Sequence, residues 1–588
     1  MRRFLHSLAL ASIFALLAVT CAAPPASLSA PTRSAVSPAA PPSPQPALSS
    51  PTPAPTPTLG PTAEPVSVAP VTGLPSGTDG YPWWNDTVFY EVFVRSFYDS
   101  DGDGNGDLQG LIARLDYLND GDPATTADLG VTGLWLMPIF ASPSYHGYDV
   151  TDYYAVNPDY GTNDDFKRLM TEARQRGIRV IVDFVLNHTS SRHPWFVEAQ
   201  NSASPYRNWF IWTEAHPGFV GPWGQTVWHY APGGVYYYGV FSTGMPDLNY
   251  ANPDVSQQML DVARFWLEGL GADGFRLDGA RYLIEAGRNQ ADTDATHQWY
   301  KDFRQFYKQV NPQAVTVGEV WTQNDAVSHY VQGDELDLAF NFDLATGFIR
   351  SARDRNAIDT RTQLLLAARL FKPGQFGIFL SNHDQERVMS QLGGREDQAR
   401  LAAALLLTAP GAPFLYYGEE IGMAGRKPDE KIRTPMQWTA DPHAGFTAGT
   451  PWEPANSDYP EKNAAAQSAE PDSLLSFYRA LIHLRAGHAA LRVGETYVIP
   501  SEPQGVYAVL RASKDETVLV VVNLDSAPVS EYHLSLDSGP LSGSYAVAPL
   551  LGEGAFYGPM VNSQGGFDAY RPLSTLEANG VYILQLRK

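Results

Sequence analysis

The sequence predicts an α/β chain: a (β/α)8 TIM barrel with an inserted subdomain after strand 3 and a C-terminal antiparallel β domain. Three observations predict it. Apolar runs of strand length recur eight times, with helical apolar spacing between them. One strand-to-helix connection is far longer than such loops need. Near residue 490 the helical patterns give way to short alternating strands and turns.

At the N-terminus, residues 1–21 read as an export signal: Arg2 and Arg3, then the apolar "FLHSLALASIFALLAV", too short for a membrane span. Cys21, the only cysteine, comes next in "LAVTCAAP", which resembles a bacterial lipoprotein signal whose cysteine is acylated. With one cysteine there is no internal disulfide. Residues 22–80 are dominated by Pro, Ala, Ser and Thr and read as a disordered linker that tethers the globular part of the chain.

Residues 81–490 carry the barrel. Its strands are expected in "VFYEVFVRSF", "GVTGLWLMPI", "IRVIVDFVLNH", "ADGFRLDGA", "AVTVGEVW", "LDLAFNFD", "FGIFLSNHD" and "APFLYYGEE". The segment "DDFKRLMTEARQRG" predicts a helix with Asn163 as its N-cap and an end at Gly177. The gap from His188 to about Val255, rich in Trp, Tyr, Gly and Pro, predicts a subdomain at about 189–250. Residues 491–588 predict the β domain.

Composition narrows the partners. Asp and Glu outnumber Lys and Arg by 63 to 41, for a net charge of −22. That excludes nucleic acid and an anionic membrane surface, and leaves membrane contact to the N-terminal lipid anchor. It favours a neutral or cationic ligand, and abundant Trp and Tyr suit a sugar.

The chemistry is concentrated where strands end. "GFRLDGA" puts Arg276 and Asp278 on one face of a strand that is otherwise apolar. Burying two charges is costly unless they are paired or used. Asn187, His188, Glu319, His383 and Asp384 end other strands of the same barrel. Catalytic groups of such barrels collect at that end, so these residues converge on one pocket.

These stretches resemble the α-amylase family of glycoside hydrolases, family 13. The likeness rests on "VIVDFVLNH", "GFRLDGA", "GEVW", "SNHDQER", "HGYDVTDYY", "MPDLN" and "RTPMQW", in the family's order and spacing. "MPDLN" is similar to exported bacterial amylases intermediate between the oligo-1,6-glucosidase and neopullulanase branches. The resemblance implies Asp278 as nucleophile, Glu319 as general acid/base and Asp384 as the third acid, which binds sugar hydroxyls. It implies retention of configuration, with the two working carboxyls about 5–5.5 Å apart. Arg276 would hold Asp278 ionised, while Glu319 needs a raised pKa, which Trp321 would support by excluding water. His188 and His383 would hydrogen-bond the sugar, Tyr148 would stack on it and Arg433 would support Asp384.

A second motif is "DSDGDGNGD". Asp99, Asp101, Asp103 and Asp107 alternate, Gly104 permits a sharp turn, and Asn105 would offer its backbone carbonyl, as in the first nine positions of an EF-hand loop. Gly110 at the twelfth position cannot supply the closing carboxylate, and the loop comes after a strand, so it is no EF-hand. Related barrel enzymes carry a calcium loop here, so Ca2+ is the expected cofactor. Asn187 resembles a ligand of a second calcium in many amylases.

The expected activity is endo-cleavage of the α-1,4 bonds of starch and maltooligosaccharides. A neopullulanase- or maltogenic-type hydrolase, a glucanotransferase and a non-catalytic transporter-associated relative are the alternatives. Gly279 and Ala280, small where 1,6-specific relatives carry a valine, should leave room for a 1,4-linked chain. Tyr145, where the 1,6-specific branch has aspartate, points the same way.

Overall fold

The computed structural model describes residues 73–588; the export signal, Cys21 and the linker up to residue 72 lie outside the described residues. Eight parallel strands close the barrel: β1 (Phe89–Val92), β2 (Gly133–Leu136), β3 (Arg179–Phe184), β4 (Gly274–Leu277), β5 (Val315–Gly318), β6 (Leu338–Phe340), β7 (Phe376–Ile378) and β8 (Ala412–Tyr416). Each pairs with the next, and β8 closes on β1 with Phe89 opposite Phe414. Those two rings stack 4.4 Å apart inside the barrel. With Trp135 and Phe340 they fill its interior, so the barrel is a packed core whose open end carries the polar residues.

Several strands are shorter than their apolar runs. The first stops at Val92, and Val94–Phe97 forms a helical turn instead. The third stops at Phe184 and the seventh at Ile378, so Asn187, His188, His383 and Asp384 sit on the loops beyond. The fourth and fifth end directly before Asp278 and Glu319.

Helix α1 (Asn163–Gln175) corrects the expected cap. Thr162 is its N-cap, in a reciprocal capping box with Asp165. Asn163 instead ties down the preceding strand, accepting from the Val156 N–H and donating to the Tyr154 carbonyl. Helix α2 (Pro253–Arg264) comes after the long connection that leaves β3. That connection holds a helix, Pro194–Ala199, and a three-stranded sheet of Trp212–Thr213, Val235–Tyr238 and Trp228–Ala231. A smaller excursion after β2, the hairpin of Phe140–Ala141 and Asp152–Val156, carries Tyr145 and Tyr148 on its loop.

Residues 73–80, read from sequence as the end of the linker, are bound to the barrel. The Pro75 carbonyl accepts from Arg179, and Thr78 bonds Asp86 and Arg492. Among the described residues no helix is long and apolar enough to cross a membrane.

Helices α3 (Glu396–Thr408) and α4 (Leu474–Gly487) lead to the C-terminal β domain. Its larger sheet comprises β9 (Glu495–Val498), β10 (Val506–Ala512), β11 (Thr517–Asn523), β12 (Ala546–Leu551) and β13 (Val581–Arg587). Successive side chains of a strand face opposite ways. Val506, Ala508 and Leu510 build the domain's own core, whereas Tyr507 and Val509 join the barrel's. Arg511 is fully buried and donates to the Thr408 carbonyl that ends α3, 2.6 Å away. Arg485 of α4 donates to the carbonyls of Leu407, Ala409 and Gly411.

Candidate active site

At the open end of the barrel one guanidinium joins three carboxylates. Arg276 is 1% exposed. Its Nη1 donates to Asp183, 2.8 Å from Oδ2, and to Asp278, 2.8 Å from Oδ1. Its Nη2 donates to Glu319. Asp183 also accepts from the Trp135 indole N–H and the Tyr148 hydroxyl. Glu319 additionally accepts from the backbone N–H of Gly279, 3.1 Å away.

A single cation cannot fully compensate three buried anions. Burial pushes Asp278 up to about 6 and Glu319 up to about 7, with Arg276 opposing and neighbouring carboxylates adding to the rise. Arg276 thus belongs to a shared junction rather than to a private pair with Asp278.

A second cluster has the opposite balance. Asp384 is one-third exposed and accepts from Arg433 Nη2 at 2.9 Å, with His383 Nε2 3.2 Å away. Burial disfavours its charge, but His383, Arg433 and Arg276 outweigh that and hold its carboxyl well below the usual range. His383 Nδ1 lies 2.5 Å from Glu91 and its Nε2 lies 2.6 Å from the Tyr148 hydroxyl. Burial opposes its charge, yet Asp384 and Glu91 raise His383 to about 10. Arg433 also donates to the His383 carbonyl and to Asp429.

The structure therefore brings together Asp278, Glu319, Asp384, Arg276, His383, Tyr148 and Arg433. His383 is fully buried, with its ring nitrogens directed at protein groups. His188 is equally buried; its nitrogens lie against Asn187 and the Tyr148 carbonyl, and burial lowers it to about 4. The ring nitrogens of both lie within hydrogen-bonding distance of protein groups. Tyr148 stacks on His383, centroids 5.5 Å apart.

Three further residues have the following surroundings. Trp321 is 47% exposed and stacks on Phe342, so one face of its ring is packed while the residue stays open to solvent. Asn187 donates to the Tyr282 carbonyl at 2.7 Å, and its Oδ1 lies 3.2 Å from His188 Nδ1. Gly279 leaves no open room: an added Cβ would lie 2.7 Å from Phe241, and Ala280 is buried.

Asp183 and Glu91 are the groups that the sequence reading passed over. Each is a lone acid in an apolar strand, "VIVDFV" and "FYEVFV", the same signal that singled out Arg276 and Asp278.

In the acidic loop Asp99, Asp101 and Asp107 bring carboxylate oxygens within 4.8 Å of one another. Asp103 is exposed and its carboxylate accepts from the Asn105 N–H, while the Asn105 side chain is held by Arg95. Gly104 adopts φ +100°, and a Cβ there would collide with the Thr450 carbonyl. Asp99 accepts from three backbone N–H groups and Thr447. Three clustered carboxylates form an all-oxygen donor set, which fits a hard cation such as calcium.

Comparison with known proteins adds independent findings. The family profile "Alpha amylase, catalytic domain" matches residues 91–494. Alpha-amylase 3 of Dictyoglomus thermophilum is 42% identical over 451 residues, 76% of this chain and 86% of that protein. A trehalose synthase/amylase of Mycolicibacterium smegmatis is 36% identical, over 77% and 86% of the two chains. An oligo-1,6-glucosidase of Parageobacillus thermoglucosidasius is 32% identical, over 76% and 91%. The crystal structure of alpha-amylase from H. orenii superposes with a TM-score of 0.74 at 40% identity, covering 85% of this chain and 99% of that one. With its closed barrel, its carboxylates gathered at one end and these matches, the chain belongs to the α-amylase family, glycoside hydrolase family 13.

Proposed function

We propose that the protein is a retaining α-amylase that cleaves internal α-1,4-glucosidic bonds of starch and maltooligosaccharides by double displacement. The observation that carries the reading is the contrast in charge around the acids. Asp278 at about 6 is largely ionised near neutral pH and serves as nucleophile at C1. Glu319 at about 7 retains a proton to give to the leaving oxygen. In the second half-reaction Glu319 takes a proton from water, which displaces Asp278 and restores the α configuration. Asp384, held ionised by His383 and Arg433, accepts hydrogen bonds from sugar hydroxyls.

The α-1,4, internal preference rests on two supports. The relatives at 42% and 40% identity are named alpha-amylases. Trp223 and Trp321 are 58% and 47% exposed: Trp223 lies against Phe241, whose ring meets the Gly279 turn, and Trp321 lies two residues past Glu319 in the chain with one face stacked on Phe342. Exposed indoles on the segments that carry the site suit stacking on the rings of a glucan chain.

Calcium, when bound, would be held by Asp99, Asp101 and Asp107 and would neutralise their repulsion. Export, with Cys21 carrying the lipid, completes the proposal and rests on residues 1–21; radiolabelled palmitate should appear on the chain and vanish in Cys21→Ser. For the activity, the test is maltoheptaose with products followed by chromatography and NMR. Mixed short maltooligosaccharides released first as α-anomers are expected. Trehalose from maltose, or glucose from isomaltose at a greater kcat/KM, would overturn the reading in favour of the other named relatives.

A further inference from the structure

Phe241 belongs to the inserted subdomain, yet its ring reaches the barrel's most sensitive turn. The ideal Cβ of Gly279 would lie 2.7 Å from Phe241 Cζ, closer than real Cβ contacts allow. Gly279 sits directly after Asp278, adopts φ +49°, and gives its N–H to Glu319. The Phe241 ring also meets His188 edge-on at 5.1 Å, Tyr282 at 5.9 Å and the exposed Trp223 at 5.8 Å. The insert thus lays an aromatic layer over the turn that joins the nucleophile to the acid's hydrogen-bond donor.

We propose that Phe241 is a specificity-determining residue: its ring, occupying the place of the missing side chain at 279, forms the wall on the leaving-group side of the acid pair. The inference rests on the α-1,4 reading above and gives it a physical cause. Glycine at 279 does not widen the site; it admits a ring from another part of the chain. Glu319, which protonates the leaving oxygen, is bonded to Gly279 and so lies beside that ring. The wall is therefore rigid, apolar and set by the insert, and a leaving sugar joined through a freely rotating 6-methylene meets a different contact from one joined at O4. Differences in pocket shape of this size change selectivity by roughly 10–200-fold.

The experiment measures kcat/KM for maltotetraose and for isomaltotriose in the wild type, Phe241→Ala, Phe241→Tyr, Gly279→Ala and the double variant Gly279→Ala/Phe241→Ala. Phe241→Ala should shift the ratio of the two substrates toward isomaltotriose by roughly tenfold, while Phe241→Tyr, which keeps the ring, leaves the ratio within about twofold. Gly279→Ala should lose activity, and removing the ring in the double variant should restore roughly tenfold of it. The rescue reports that the two positions share one space, as contacting sites do; the substrate ratio is the readout that a merely structural phenylalanine would not move. An unchanged ratio in Phe241→Ala overturns the inference; a double variant no better than Gly279→Ala would instead assign the loss at 279 to its left-handed backbone. A wild type that prefers isomaltotriose overturns the α-1,4 reading instead, and Phe241 is then judged by whether its loss moves that ratio.

Discussion

Two clusters at the barrel end use the same residue types to opposite effect. Around Arg276 three carboxylates, Asp183, Asp278 and Glu319, share one cation. Around Asp384 two cations, His383 and Arg433, attend one carboxylate, with Glu91 and Asp429 behind them. The first arrangement leaves its acids reluctant to ionise, and the second makes ionisation of Asp384 nearly unconditional. Burial alone does not decide protonation; the ratio of cations to carboxylates does. One site thereby holds a proton donor and a permanent anion side by side.

The largest expected effect breaks the first cluster directly. Asp278→Asn and Glu319→Gln should each cost several orders of magnitude in kcat with the fold retained by circular dichroism. Near-wild-type turnover in either variant removes that residue from the chemistry.

Next comes Asp183→Asn, which changes the charge ratio without touching substrate. Arg276 keeps two carboxylates, so the pair is not orphaned. Loss of the Asp183 charge, one of the contributions raising Asp278, should move the acidic limb of the pH–kcat/KM profile to lower pH. Misalignment of Arg276 should cost about 10²-fold in kcat. An acidic limb that stays put or rises would show that the shared cation is not what tunes Asp278.

Chelation tests the second cluster from a distance. The acidic loop holds the segment that carries Arg433. Gly104 accepts from the Trp452 N–H, and Ser96 binds the Trp452 indole, the Met436 N–H and the Arg433 carbonyl. A cation bound only by the folded state adds about 2.7 kcal/mol at a hundredfold excess over Kd. Chelator should therefore lower Tm and raise KM, through Arg433 and Asp384, more than it lowers kcat. Asp101→Ala should lack both responses. Superimposable melts with chelator and with excess calcium would leave the loop a plain turn.

The smallest effect is a pH dependence of stability in Glu91→Gln. His383 titrates near 10 in the folded protein and near 6.5 when unfolded. Its raised pKa stabilises fully below about 6.5, and that contribution is lost as pH rises through about 10. Removing the Glu91 charge should shrink the difference in Tm between pH 6.5 and 10. An unchanged difference means that Asp384 alone holds the proton on His383.

The barrel was legible because its period is coarse. Eight apolar runs with helices between them survive errors of several residues at each end. The ends themselves were not legible: Asn187, His188 and His383 look like strand termini in sequence but lie on loops, because pairing stops before apolarity does. Asp278 and Glu319 were readable as charges within apolar runs. Asp183 and Glu91 gave the same signal, yet their partners come from other strands, so their roles are visible only in three dimensions. Gly279 was misjudged for that reason too: a glycine announces missing volume but not that a phenylalanine thirty-eight residues earlier fills it.

The sheet of β10 and β11 has two greasy faces and one owner for each. Tyr507, Val509 and Val520 lie in the barrel's core, and Arg511 and Arg485 donate to the carbonyls of Thr408, Leu407 and Ala409 at the end of α3. The family profile ends at residue 494, but the molecule has no seam there. A chain cut at that point would strip one wall from the barrel and leave Thr408 without its guanidinium. Heat should therefore melt residues 73–588 in one endothermic step, and the catalytic region expressed alone should be found in the insoluble fraction.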